Sequence, residues 1–231
     1  MQKTKIEWLT EPRTGVKGYS VNPVKGICLH DCDYCYAIRM YKRFKWNPEI
    51  RYDESAWKGL KNIHIVENGG YIHPKIFVCS THDLFGKWIP DRWIKTCIDK
   101  ACNNPQLTFI FLTKNPKRYN DFYFPRNAWI GYSTTGALYH EWDSLHKDNI
   151  KFISIEPMTG SLMNTVYLHD TQWVIIGAET GNRKGKIKLD NQWLYDALAI
   201  LDEQKIPVFI KDNAGGVRQD YPMDAQERVS K

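Results

Sequence analysis

Three cysteines fall within eight positions, in the stretch Gly26-Ile27-Cys28-Leu29-His30-Asp31-Cys32-Asp33-Tyr34-Cys35. Thiolates are metal ligands, and three so close in sequence reach one centre only where the backbone loops around it. Gly26 lets a preceding strand turn into such a loop. A 4Fe-4S cubane held by three cysteines keeps one iron free of protein ligands, and that open iron is the reason to have three cysteines and not four. A structural zinc site is the competing reading, because zinc takes four ligands and His30, His82 or Cys79 would complete the set. Against zinc, the paired C-x2-C spacing of zinc modules is absent. The other cysteines do not form a second motif. Cys79 closes a strand and reads as core, while Cys97 and Cys102, five apart on a helix, read as small buried residues on poorly aligned faces.

A second kind of chemistry lies just downstream. Arg39, Lys42, Arg43, Lys45 and Arg51 alternate with Tyr36, Tyr41, Phe44, Trp46 and Tyr52. Cations meet phosphates and ring faces meet bases, so the run suits a nucleic-acid surface; it equally suits a solvated helix whose aromatics pack inward. A net charge of +6 and a pI near 8.9 are enough to attract polyanions. With 231 residues, 42% hydrophobic and 25% charged, the composition fits one globular domain, 1–231, and not a disordered chain. No repeat or low-complexity segment divides it. No stretch approaches the roughly 18 apolar residues of a membrane span, and Met1 to Lys5 leads into Ile6-Glu7-Trp8 instead of an apolar signal core. A cytoplasmic protein with no membrane partner is expected, and its cysteines are ligands or core residues before they are disulfides.

The elements that must position these residues alternate. Strands are predicted at Lys75 to Ser80, Thr108 to Thr113, Trp129 to Ser133, Phe152 to Ile155, Trp173 to Ile176 and Val208 to Lys211, with an early one ending near Val21. Helices are predicted at Cys35 to Arg43, Pro90 to Cys102, Leu138 to His146 and Gln192 to Gln204, the last with Trp193, Leu194, Ala197, Leu198 and Leu201 on one side. This order predicts an α/β fold with parallel strands and crossover helices, a full or partial TIM-like (β/α) barrel of about six to seven strands or an open sheet. Chemistry in such folds gathers at the C-terminal strand ends. The polar groups there are Ser80-Thr81-His82-Asp83, Thr113-Lys114, Ser133-Thr134-Thr135, Glu156-Pro157, Glu179-Thr180 and Lys211-Asp212.

Cys28-x3-Cys32-x2-Cys35, with Tyr34 before the last cysteine, resembles the signature of radical S-adenosylmethionine (SAM) enzymes. The wider pattern is similar to the phage-type radical SAM family and, more remotely, to spore photoproduct lyase. The matching stretches run in family order over nearly the whole chain: Ile6-Glu7-Trp8, Asn22-Pro23, Cys28 to Ala37, Ser80 to Phe85, Leu112 to Arg118, Trp129 to Ser133, Ser154-Ile155-Glu156-Pro157, Gly177 to Gly181 and Phe209-Ile210-Lys211. Many members carry a longer insertion between the first two cysteines and Gly at the position of Ala178. The resemblance implies a barrel of the radical SAM type in which Cys28, Cys32 and Cys35 hold a 4Fe-4S cluster. It implies that SAM chelates the open iron and is cleaved to a 5′-deoxyadenosyl radical, with flavodoxin or ferredoxin as the kind of electron donor. By position it assigns Ser80, Thr81 and Asp83 to the SAM ammonium, and Lys114, Ser133 and Glu156 to its carboxylate and ribose. Glu179 would face substrate, and Gly177 would let the backbone approach a ligand. A nucleic acid or nucleotide is the expected substrate, with a peptide as the rival and a zinc-stabilised nucleic-acid-binding module as the non-enzymatic alternative.

Overall fold

Apolar runs rich in β-branched and aromatic residues form strands covered on both faces, as parallel strands require. The computed structural model describes residues 1–10, 15–63, 66–67, 71–72, 74–136, 146–162, 168 and 170–222. It divides into two compact units, Met1–Trp129 and Ile130–Lys231.

The first unit contains β1 (Gln2–Lys3), β2 (Tyr19–Val21), β3 (Val24–Lys25), α1 (Tyr36–Phe44), β4 (Arg51–Tyr52), β5 (Val66–Glu67), β6 (Tyr71–Ile72), β7 (Lys75–Val78), α2 (Asp91–Cys102) and β8 (Thr108–Thr113). Its main strands lie in the order β1-β2-β7-β8. β2, β7 and β8 are parallel, with Tyr19 opposite Ile76 and Ile76 opposite Phe109. β1 is an antiparallel edge, and β3–β4 and β5–β6 are small antiparallel pairs. All four residues of β7 are buried. Its one charged member, Lys75, holds its ammonium 5.7 Å from the Trp129 ring centre, which replaces part of the lost hydration with a cation–π contact.

Helix α2 buries Ile94, Cys97, Ile98 and Ala101, the i, i+3, i+4, i+7 spacing of one apolar face. Cys97 therefore sits in the core as expected. Cys102 is exposed, contrary to expectation, because five residues carry it about 140° around the helix from Cys97.

β9 (Ala128–Thr134) crosses the junction, and the second unit continues with β10 (Ile150–Ile155), β11 (Trp173–Ile176), α3 (Asn191–Glu203) and β12 (Val208–Ile210). β10, β11 and β12 are parallel, with Phe152 opposite Trp173 and Val174 opposite Val208. The Asp190 side chain caps α3 by accepting from the Gln192 N–H at 2.8 Å. Leu194, Ala197 and Leu201 are buried with Ile153, Val174 and Val208, and Trp193 and Leu198 pack at the margin. The helix predicted over Leu138 to His146 lies, His146 apart, outside the described residues. The chain is thus mixed α/β with mostly parallel strands, and every strand predicted from the sequence is present. Among the described residues no helix is long and apolar enough to cross a membrane.

Candidate functional site

The cysteine loop joins β3 to α1 and starts at Gly26. This residue has φ of 99°, and a Cβ there would stand 2.4 Å from the Glu49 carbonyl oxygen, so the turn admits only glycine without a shift of backbone. The Gly26 N–H donates to the Tyr41 hydroxyl at 2.8 Å, tying the start of the loop to the helix that follows it. Cys35 is the N-terminal flanking residue of α1, and its N–H donates to the Cys32 carbonyl at 2.9 Å. Cys28, Cys32 and Cys35 are free thiols of intermediate exposure. Burial pushes the Cys28 thiol up to about 11, opposed by hydrogen bonds from the backbone N–H groups of His30 and Asp83. Among the described residues no group of three or more His, Cys, Asp or Glu side chains is set to hold a metal ion. The fit to a cluster therefore rests on the donor set, three free thiols on one loop.

Asp83 braces this loop. Its carboxylate is buried and accepts four hydrogen bonds. Oδ1 accepts from the Phe85 N–H at 2.9 Å and the Thr113 hydroxyl at 2.7 Å; Oδ2 accepts from the Lys114 N–H at 2.8 Å and lies 2.7 Å from His30 Nε2. Burial alone would raise its pKa, but His30, the Lys114 N–H and Thr113 hold it below the usual carboxylate range. One side chain thus ties the cysteine loop to the end of β8.

His82 makes a second tie. Trp88 Nε1–H, which can only donate, reaches His82 Nε2 at 2.9 Å, so Nδ1 carries the proton and donates to the Gly26 carbonyl at 3.1 Å. Burial lowers its pKa, in keeping with a neutral ring. Both nitrogens of His82 are occupied. Cys79 is 4% exposed, and burial pushes its thiol up to about 12. Of the three candidates for a fourth zinc ligand, His82 has both ring nitrogens hydrogen-bonded, Cys79 is a buried free thiol, and His30 holds Asp83 through Nε2, a pairing that also orients metal-bound histidines.

The first unit brings Ser80, Thr81, Asp83 and Lys114 to the ends of β7 and β8. The Ser80 hydroxyl and the Thr81 N–H both donate to Asn22 Oδ1, at 3.1 and 3.0 Å, and the Ser80 carbonyl accepts from the Tyr36 hydroxyl at 2.6 Å. Lys114 Nζ donates to the Tyr34 hydroxyl at 2.8 Å. Burial raises the Tyr34 pKa, and the Lys114 ammonium opposes that rise. Asn22 and Trp88 are structural partners to which no motif assigns a role: Asn22 belongs to the Asn22-Pro23 stretch, whereas nothing in the spacing of Trp88 marks it.

Ser133 and Glu156 lie in the second unit, at the ends of β9 and β10. Glu156 Oε1 is 3.2 Å from Lys211 Nζ. A Cβ on Gly177 would come within 3.0 Å of that oxygen and of Lys211 Cδ, so the close approach Gly177 permits is to this pair. Glu179 is buried and receives two hydrogen bonds from Arg183, at 2.7 and 2.8 Å. Arg183 holds its carboxyl below the usual range. The side chain expected to face substrate is therefore occupied by an internal partner.

A family model described as "Protein of unknown function (DUF5131)" matches residues 3–230. No curated protein and no solved structure gives a significant match.

Proposed function

The chain belongs to the DUF5131 family, and within it we propose that this protein is a radical SAM enzyme of partial-barrel type, with Cys28, Cys32 and Cys35 holding a 4Fe-4S cluster. The observation that carries the reading is the cysteine loop itself. Three free thiols share it, and His30–Asp83 and His82–Gly26 anchor it to the strand ends. Against a zinc module, His82, one of the three candidates for its fourth ligand, has both ring nitrogens occupied.

When bound, the cluster supplies one electron to the SAM sulfonium, whose carbon–sulfur bond breaks to give methionine and the 5′-deoxyadenosyl radical. The residues of the chain provide geometry. Asp83, its oxygens filled, is a positioning residue that fixes the loop and the β8 end. Ser80 and Thr81 remain for the SAM ammonium, with Asn22 orienting both. Lys114, held at Tyr34, presents a cation to the SAM carboxylate.

Anaerobic reconstitution with iron and sulfide, followed by dithionite and SAM, tests the proposal. The expected result is a brown protein with stoichiometric iron that releases 5′-deoxyadenosine, while Cys32→Ala loses both. Full iron loading of Cys32→Ala, or a colourless protein carrying zinc, would overturn it.

A further inference from the structure

Helix α1 and the turn after it carry a surface that SAM cleavage does not use. Residues 36–48 contain Arg39, Lys42, Arg43 and Lys45 and no acidic residue, against a net charge of +6 for the entire chain. The sequence left open whether the aromatics here pack inward. Tyr41 does, at 7% exposed, but Phe44 is 52% and Trp46 44% exposed. The two exposed rings stack on each other, centres 5.4 Å apart and planes 23° apart, and the Arg43 guanidinium lies 5.4 Å from the Phe44 centre. Tyr41 meets Trp46 edge-on at 5.3 Å and so fixes its plane. Lys42, Arg43 and Lys45 form no ion pair among the described residues. An exposed aromatic stack flanked by Lys42, Arg43 and Lys45 supplies the components of a platform for bases and phosphates.

A cavity of about 430 Å³ opens beside the platform, lined by Trp46, Asn22, Lys25, Arg51, Asn47 and Thr81 among others. This lies within the size range of small-ligand sites. Its polar wall holds the Arg51 cation, Lys25, whose ammonium lies 3.9 Å from the Asp53 carboxylate, and the amide of Asn22, whose oxygen is taken by Ser80 and Thr81. Trp46 belongs to both features. Tyr41 lines the cavity and receives the Gly26 N–H, which places the cavity beside the start of the cysteine loop.

We infer that this surface docks a single-stranded nucleic acid, with its phosphates along Lys42, Arg43 and Lys45, bases on Phe44 and Trp46, and one nucleotide entering the cavity against Trp46. Single strands are favoured over duplexes because ring stacking needs bases freed from their own stack. The inference names the substrate class of the proposed radical SAM site and rests on that reading for its chemical consequence, though not for docking itself.

The test uses the full chain, reconstituted anaerobically, with a fluorescent oligothymidylate as probe. Unlabelled oligothymidylate, a DNA duplex and polyglutamate serve as competitors. Single strand should compete at least tenfold better than duplex or polyglutamate. Trp46→Ala and Phe44→Ala should each weaken binding about tenfold or more, and Trp46→Phe should largely restore it. Lys42→Gln, Arg43→Gln and Lys45→Gln together should lower the log–log salt slope by about 2. Equal competition by polyglutamate or duplex, or unchanged binding in Trp46→Ala with folding verified by circular dichroism, would overturn the inference. Iron content and 5′-deoxyadenosine release, measured on the same samples without nucleic acid, separate the two readings. Loss of both with docking intact overturns the enzyme proposal alone; both present without docking overturns the nucleic-acid surface alone, and tight binding of a peptide would then reassign the substrate.

Discussion

At the scale of residues, the arrangement around the cysteines depends on side chains that make no claim on a metal. Asp83 accepts from His30, Thr113, the Lys114 N–H and the Phe85 N–H, so replacing one oxygen by an amide sets a donor against donors. Asp83→Asn should cost roughly 1–3 kcal/mol in denaturant unfolding and lower the rate of SAM cleavage, with iron still bound through the three cysteines. An unchanged midpoint and rate would show the brace to be dispensable. Glu179 supplies a pH prediction. Its pKa is depressed, chiefly by Arg183, so its contribution to stability is present above the ordinary glutamate value and is lost as pH falls through the folded value. Thermal unfolding followed from neutral to acid pH should therefore show a smaller acid loss in Glu179→Gln than in wild type, with the variant less stable at neutral pH. Parallel profiles would contradict the pairing.

At the scale of elements, the phase of a helix decides what a residue type cannot. Cys97 and Cys102 share α2, yet one is buried and the other exposed. Cys97→Ala should destabilise by about 1 kcal/mol, typical of a buried truncation, while Cys102→Ala should fall within about 0.5 kcal/mol of wild type. Neither should alter iron content. Urea midpoints measured at equal slope check the first part, and iron analysis the second. The same logic applies to α3, where the Asp190 cap is the only side-chain cap at the start of a described α-helix. Asp190→Ala should cost about 1 kcal/mol.

At the scale of the whole molecule, a cluster bound by the folded loop and not by the unfolded chain adds its binding free energy to stability. The reconstituted protein should melt several degrees above iron-free wild type, since about 1 kcal/mol corresponds to roughly 2–4 °C in a chain of this size. Cys32→Ala treated with iron and sulfide should show no such gain. Differential scanning fluorimetry under anaerobic conditions makes the comparison. An equal rise in the variant would mean that iron binds elsewhere.

The sequence by itself determined the buried parallel strands and the candidate ligands, but not the short antiparallel strands β1, β3, β4, β5 and β6, whose pairing lies at the edge and outside the main sheet. Strands such as Thr108–Thr113 and Trp173–Ile176 were legible because a parallel strand buried on both faces must be apolar throughout, and the three cysteines were legible because their spacing is local. Boundaries shifted by a residue or two, as at Val78 and Ile210. Tertiary structure alone decided which polar side chains are already occupied. Asp83 meets partners 53, 30 and 31 positions away, and no periodicity carries information across such separations. The tautomer of His82 follows from a Trp88 contact that no motif marks. The basic and aromatic run was visible as composition, but whether Phe44 and Trp46 face solvent depends on which side of α1 the core takes. That is a property of packing, to which Ala37, Ile38 and Tyr41 supplied the answer.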